Sequence, residues 1–86
     1  MKTHELKVWD EFMMDLVSRK KTFEVRLNDR DFQEGDTLLL QGWDKENKEY
    51  TGKVIEAEVP YILFGGQFGI LEGYVVMTVK IMNYNF

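Results

Sequence analysis

The sequence predicts a small α+β domain: a partly open β-barrel of about five or six strands with one main helix after the first strand. Three observations carry this. One segment spaces its apolar residues with a helical period, and several others alternate with a period of two. No regular strand–helix–strand repeat follows, which sets a doubly wound parallel sheet aside. The 86 residues suit one domain, 1–86, and the 44% hydrophobic content supplies a core for it.

The elements follow in order. HELKV, residues 4–8, is a strand with Leu6 and Val8 inward. Trp9, Phe12, Met13, Leu16 and Val17 then fall on one stripe of an amphipathic helix. Asp10 and Glu11 open it and Arg19, Lys20 and Lys21 close it, each sign at the end the helix dipole favours. No glycine ends this helix, so Ser18, Arg19 or a neighbour makes the turn. Residues 22–27 form a strand, with Phe23, Val25 and Leu27 expected to hold the barrel and Thr22, Glu24 and Arg26 on the opposite face.

NDRDFQEGD is a polar loop in which Phe32 plugs the core edge. Thr37 to Ile62 is a long hairpin turning at DKEN, with Asn47 as the expected left-handed residue. Its second strand puts Ile55, Ala57, Val59 and Tyr61 on one face, and Pro60 near its end suits an edge or a bulge. After the glycine-rich LFGGQFGILEG, Tyr74 to Met82 is the last strand, apolar on both faces at first and therefore central.

Composition narrows the chemistry. The absence of cysteine removes disulfides, thiolate metal sites and cysteine nucleophiles, and suits a reducing compartment. One histidine, His4, and scattered carboxylates give no metal-ligand spacing, and no cofactor motif is present. His4 reads as a surface or capping residue. Ser18 is the single serine, so no serine–histidine arrangement forms. No apolar run approaches a membrane span and MKTHELK does not resemble a signal peptide, so a cytoplasmic location without membrane contact is expected.

The net charge of −4 argues against an avid binder of long duplexes. Yet Arg19, Lys20, Lys21, Arg26 and Arg30 gather five of the eleven cations into one short stretch. Such a chain suits a short nucleic acid or a nucleotide.

KKTFEVR, residues 20–26, is the central candidate. Thr22, Glu24 and Arg26 are either a solvated strand face with charge pairing or the floor of a polar site. In the second case Arg26 binds a carbonyl or phosphate and Glu24 accepts from an amino group, the groups found on a base edge. FGGQFG lacks the Lys-Ser/Thr ending of a phosphate loop. It is either a flexible turn or a lid offering Phe64 or Phe68 to stack on a base.

HELK, KKTFEVRLNDRDFQEGDTL and the late FGI-x-x-GYVV resemble a small family of bacterial and phage proteins in the ASCH group of the PUA-like superfamily. The resemblance covers nearly the whole chain. The group's hallmark is a Gly-x-Lys-x-x-Glu-like motif after the first helix. Lys21 and Glu24 match its Lys and Glu, and Arg19 stands where the glycine would be. The resemblance implies a PUA-like barrel with a cleft beside the helix and motif strand, binding RNA or nucleotides. It makes Lys21, Glu24 and Arg26 cleft residues and favours Lys21 over Lys20 as the inward cation, although strict alternation favours Lys20.

Three functions follow from this. The first is a binding module for RNA, a nucleotide or a nucleoside, using Lys21, Thr22, Glu24, Arg26, Arg30 and Phe68, with a shallow salt dependence. The second is a small amidohydrolase, because one branch of the ASCH group resembles this chain and cleaves N4-acylated cytidine with a Lys, a Thr and a Glu. Lys21 and Thr22 match, Glu24 stands where that branch has a second threonine, and Glu72 is the nearest candidate for the distal glutamate. The third is a protein-interaction domain, favoured by a flat surface over Glu24 and Arg26.

Overall fold

A computed structural model describes all residues, Met1–Phe86. The element order is β1 (Thr3–Trp9), α1 (Asp10–Val17), β2 (Phe23–Leu27), β3 (Thr37–Asp44), β4 (Glu49–Glu58), β5 (Ile62–Phe64), β6 (Tyr74–Thr78) and β7 (Lys80–Asn85). The fold is thus α+β, with one helix and seven strands. The strands form two sheets, β1-β3-β4-β7 and β2-β6-β5. β1 runs parallel to β3, and every other pair is antiparallel.

These sheets do not close into a barrel. β1 and β2 are edge strands of different sheets and do not pair. The expected last strand, Tyr74–Met82, is in fact two strands. It breaks at Val79, whose N–H leaves the ladder for Thr22 O at 3.1 Å. β4 and β5 part at the same level, where Pro60 has no N–H to lose and Thr78 N–H bonds to Tyr61 O. Two paired strands therefore cross together from one sheet to the other. The core between the sheets gathers Leu6, Val8, Met13, Leu16, Phe32, Leu38, Leu40 and Ile55, among others. Tyr61, expected inward with Ile55, is exposed because the bend at Pro60 breaks the alternation.

The helix is short, and Arg19, Lys20 and Lys21 lie beyond its last turn. Ser18 caps it in helical geometry, and Arg19 reverses the chain at φ 65°. A side chain in this left-handed region costs about 1–2 kcal/mol, and glycine avoids that cost. Arg19→Gly is therefore expected to raise stability by about 0.5–1 kcal/mol, read from the urea midpoint. In the β3–β4 turn the left-handed residue is Lys48 (φ 55°), not Asn47. Asn47 is instead held by Asp44, which accepts its backbone N–H at 3.1 Å and its side-chain N–H at 2.9 Å.

The largest departure concerns β2. Phe23, Val25 and Leu27 are 43%, 51% and 50% exposed, whereas Glu24 is 4% exposed. The predicted alternation is present with its faces exchanged. Glu24 lies beside Met77 and Arg26 beside Val75, both buried residues of β6. The outer face of this sheet adds Tyr74 and Val76 in register with Leu27 and Val25.

His4 is buried rather than superficial. Its Nε2–H donates to Asp36 Oδ2 at 2.8 Å, and its ring meets Phe32 edge-on at 4.7 Å. Asp36 also accepts from Lys2 N (3.0 Å) and Gln33 N (3.0 Å), tying the start of β1 to the loop before β3. Burial opposes its charge, but the three hydrogen bonds outweigh that and lower its pKa from 3.8 to about 2.

The glycine-rich loop is closed at Gly65, where an added Cβ would press on the carbonyl oxygens of Leu71 and Tyr74. Gly65 N–H bonds to Tyr74 O at 2.8 Å, so the two backbones cannot separate without losing that bond. Gly65→Ala is expected to cost about 2–3 kcal/mol, measurable by chemical denaturation.

Candidate functional site

The gap between the edges of β1 and β2 is a cleft of about 330 Å³, roofed at one end by α1. Lys7, Val8 and Trp9 of β1 line one side, Phe12 the helix side, and Lys21 and Phe23–Arg26 the other. This volume falls at the lower end of small-ligand sites, about 300–1,000 Å³.

The floor is a row of charges. Glu24 Oε1 accepts from Lys21 Nζ at 2.9 Å and Oε2 from Arg26 Nε at 3.2 Å. Lys21 Nζ also donates to Phe23 O at 2.8 Å, and an Arg26 Nη donates to Lys7 O across the gap. The arginine thus supplies one of the links that the unpaired strand edges lack. Both cations keep about a quarter of their side-chain surface open or less, while the carboxylate is covered. Donor capacity remains: Lys21 has one N–H beyond these bonds and Arg26 has three. Each oxygen of Glu24 keeps a second lone pair.

The walls are aromatic. Trp9 and Phe12 lie nearly parallel, with ring centres 6.1 Å apart and an interplanar angle of 13°. Lys21 Nζ sits 5.4 Å from the Phe12 ring and 5.2 Å from that of Phe23. Trp9 is half exposed, and Lys45 covers it at 4.0 Å.

Of the predicted residues, Lys21, Glu24 and Arg26 meet in this cleft, and Lys20 stays exposed outside it. Thr22 lies on the far side of Lys21, lining a neighbouring cavity. Arg30 lines a small groove that adjoins the cleft at Arg26 and donates to Glu5 O at 2.7 Å. Phe68 and Glu72 border a separate depression made wholly by residues 66–72, and Phe68 is 83% exposed there. The loop springs from the Leu27 end of its sheet, where Asn28 N bonds to Gly73 O, so it does not cover Glu24. The aromatic partners of the floor are therefore Trp9, Phe12 and Phe23. The helical stripe placed Trp9 and Phe12 in the core. The usable signal was Trp9 itself, a large side chain preceding the helix that is seldom covered on all sides.

These features define a small α+β domain with a polar cleft between two sheet edges. Residues 3–79 match the family described as Domain of unknown function (DUF3850), and the chain belongs to that family. It is also similar to an uncharacterized 12.9 kDa protein in the GpA 3' region of Escherichia phage P2, with 32% identity over 76 residues. The match covers 88% of this chain and 66% of the phage protein, so the chain spans just under two thirds of that relative. No helix is long and apolar enough to cross a membrane.

Proposed function

We propose that the protein is a nucleotide- or RNA-binding module of the ASCH, PUA-like type, and that the β1–β2 cleft takes a nucleobase. One observation carries this: a buried carboxylate held between two cations beneath an aromatic-walled cleft. Lys21, Glu24 and Arg26 present donor, acceptor and donor in a row. The complement is an edge with an N–H between two carbonyls, as in uracil. A cytosine edge, with one amino group and adjacent acceptors, fits the row less well. Trp9, Phe12 or Phe23 then packs on the base, a contact of about 1–3 kcal/mol.

The test is a panel of nucleosides and short single-stranded RNAs, followed by thermal shift and calorimetry, with N4-acetylcytidine included and its products followed by chromatography. Uridine or a uridine-rich RNA is expected to bind best, with Glu24→Gln removing the preference. Silence across the panel would sink the proposal. Turnover of N4-acetylcytidine lost in Lys21→Ala would replace it with the hydrolase, although Glu72 lies in a depression apart from Lys21 and Thr22.

The exposed apolar residues Val25, Leu27 and Tyr74 favour a second reading, protein interaction through the back of β2. Light scattering of the chain and of Val25→Lys tests self-association. Concentration-dependent assembly abolished by the substitution supports it, and a monomer at all concentrations removes that use of the face.

A further inference from the structure

We infer that a second cavity, on the other side of Lys21, binds phosphate, and that the ligand of the protein is therefore a base carrying a phosphate group rather than a bare nucleoside. The inference rests on the base-cleft proposal for the second half of this statement and stands alone for the first.

The cavity measures about 290 Å³. Three cations from three places in the chain line it: Arg19 from the turn after α1, Lys21 before β2, and Lys80 at the start of β7. Thr22 adds a hydroxyl, and Leu16, Val79 and Ile81 form an apolar wall. No carboxylate lines it. That is unusual in a chain with 15 acidic and 11 basic residues. Two cations outside the clefts are matched, Lys45 with Glu11 and Lys53 with Asp10. Arg19 and Lys80 pair with nothing, although Glu58 stands opposite Lys80 across β4 and β7. The Lys21 ammonium is held by Glu24, so the open charges of this cavity are those of Arg19 and Lys80, and an anion beside them offsets their repulsion.

Local backbone agrees. Arg19 occupies the left-handed region, where glycine would be cheaper. What the arginine adds in return is a guanidinium on a residue that lines this cavity, with five donors suited to a phosphate. The Thr22 hydroxyl makes no hydrogen bond within the protein, and its backbone carbonyl is fixed by Val79 N–H. Lys21 borders both hollows, so they share one wall. A base on the Glu24 floor and a phosphate between Arg19 and Lys80 can belong to one molecule. A free nucleotide and the phosphorylated end of a strand offer the same chemistry.

Calorimetry at low salt tests this with uridine, uridine 5′-monophosphate, pyrophosphate, and a uridine trinucleotide with and without a 5′-phosphate. The monophosphate is expected to bind about tenfold tighter than uridine. Lys80→Ala and Arg19→Gly are each expected to shrink that preference while leaving uridine affinity unchanged. Neither substitution threatens the fold, since Lys80 is exposed and Arg19→Gly relieves strain. Uridine and its monophosphate binding equally would overturn the phosphate pocket and leave the base cleft standing. Pyrophosphate binding that Lys80→Ala abolishes, with no nucleoside binding, would keep the pocket and remove the base cleft. A gain seen with the phosphorylated trinucleotide but not the mononucleotide assigns the pocket to strand ends, and the reverse assigns it to free nucleotides.

Discussion

Replacing Asp36 with alanine is expected to lower the stability of the protein by about 3–4 kcal/mol, although Asp36 lies outside the cleft. Its carboxylate accepts from Lys2 N, Gln33 N and His4 Nε2 in a site almost closed to water. Removing it strands three donors, and an unsatisfied buried donor costs about 1–3 kcal/mol. Asparagine does not rescue the site, because its amide turns an N–H toward backbone N–H groups that need an acceptor. Against a total of about 5–10 kcal/mol for a domain of this size, the loss is severe. Urea unfolding checks it, and a change below about 1 kcal/mol would mean that water replaces the carboxylate.

The same residue gives a pH signature with a definite sign. Its pKa is about 2 in the fold against 3.8 in the open chain. A lowered value stabilises the fold above the unfolded pKa, and the contribution is lost as pH falls from about 4 through 2. The amount is about 2 kcal/mol. Other carboxylates titrate nearby. Asp44, for one, is lowered by hydrogen bonds from the backbone and side chain of Asn47 and from Glu46 N. Asp36→Ala is therefore expected to show a flatter acid limb than the parent chain, and the difference between the two curves isolates Asp36. Parallel limbs would count against the bonded carboxylate.

Local pattern in the sequence reached the helix, the β3–β4 hairpin and the buried Phe32, because each depends on neighbours in the chain. It did not reach the places where distant segments decide. The alternation of β2 specified two faces, and a one-step exchange puts the opposite set inside. Hydrophobicity alone chose Phe23 and Val25. The outcome followed charge instead: Glu24 is flanked by Lys21 and Arg26, so its burial is compensated within the same short segment. A carboxylate two and three residues from cations was the visible clue. The break at Val79 and the crossing at Pro60 depend on pairing with Thr22 and Tyr61, which no local pattern encodes. The same break brings Lys80 beside Arg19 and Lys21, a meeting of residues from opposite ends of the chain.

Converting the whole charged row to apolar residues, Lys21→Met with Glu24→Leu and Arg26→Met, is expected to abolish the proposed nucleobase binding while leaving stability within about 1 kcal/mol of the parent or above it. Replacing a complete buried ion cluster by apolar groups of similar size is often neutral or favourable, whereas removing one member is costly. Glu24→Ala alone is accordingly expected to lose about 1–2 kcal/mol. It leaves Lys21 and Arg26 facing each other, and their partial exposure keeps that figure below the value for a dry site. The two variants together separate scaffold from site. If the row serves mainly to tie β1 to β2 through Arg26 and Lys7 O, the triple variant unfolds at lower urea than Glu24→Ala. If it serves a ligand, the triple variant is the more stable of the two and binds nothing.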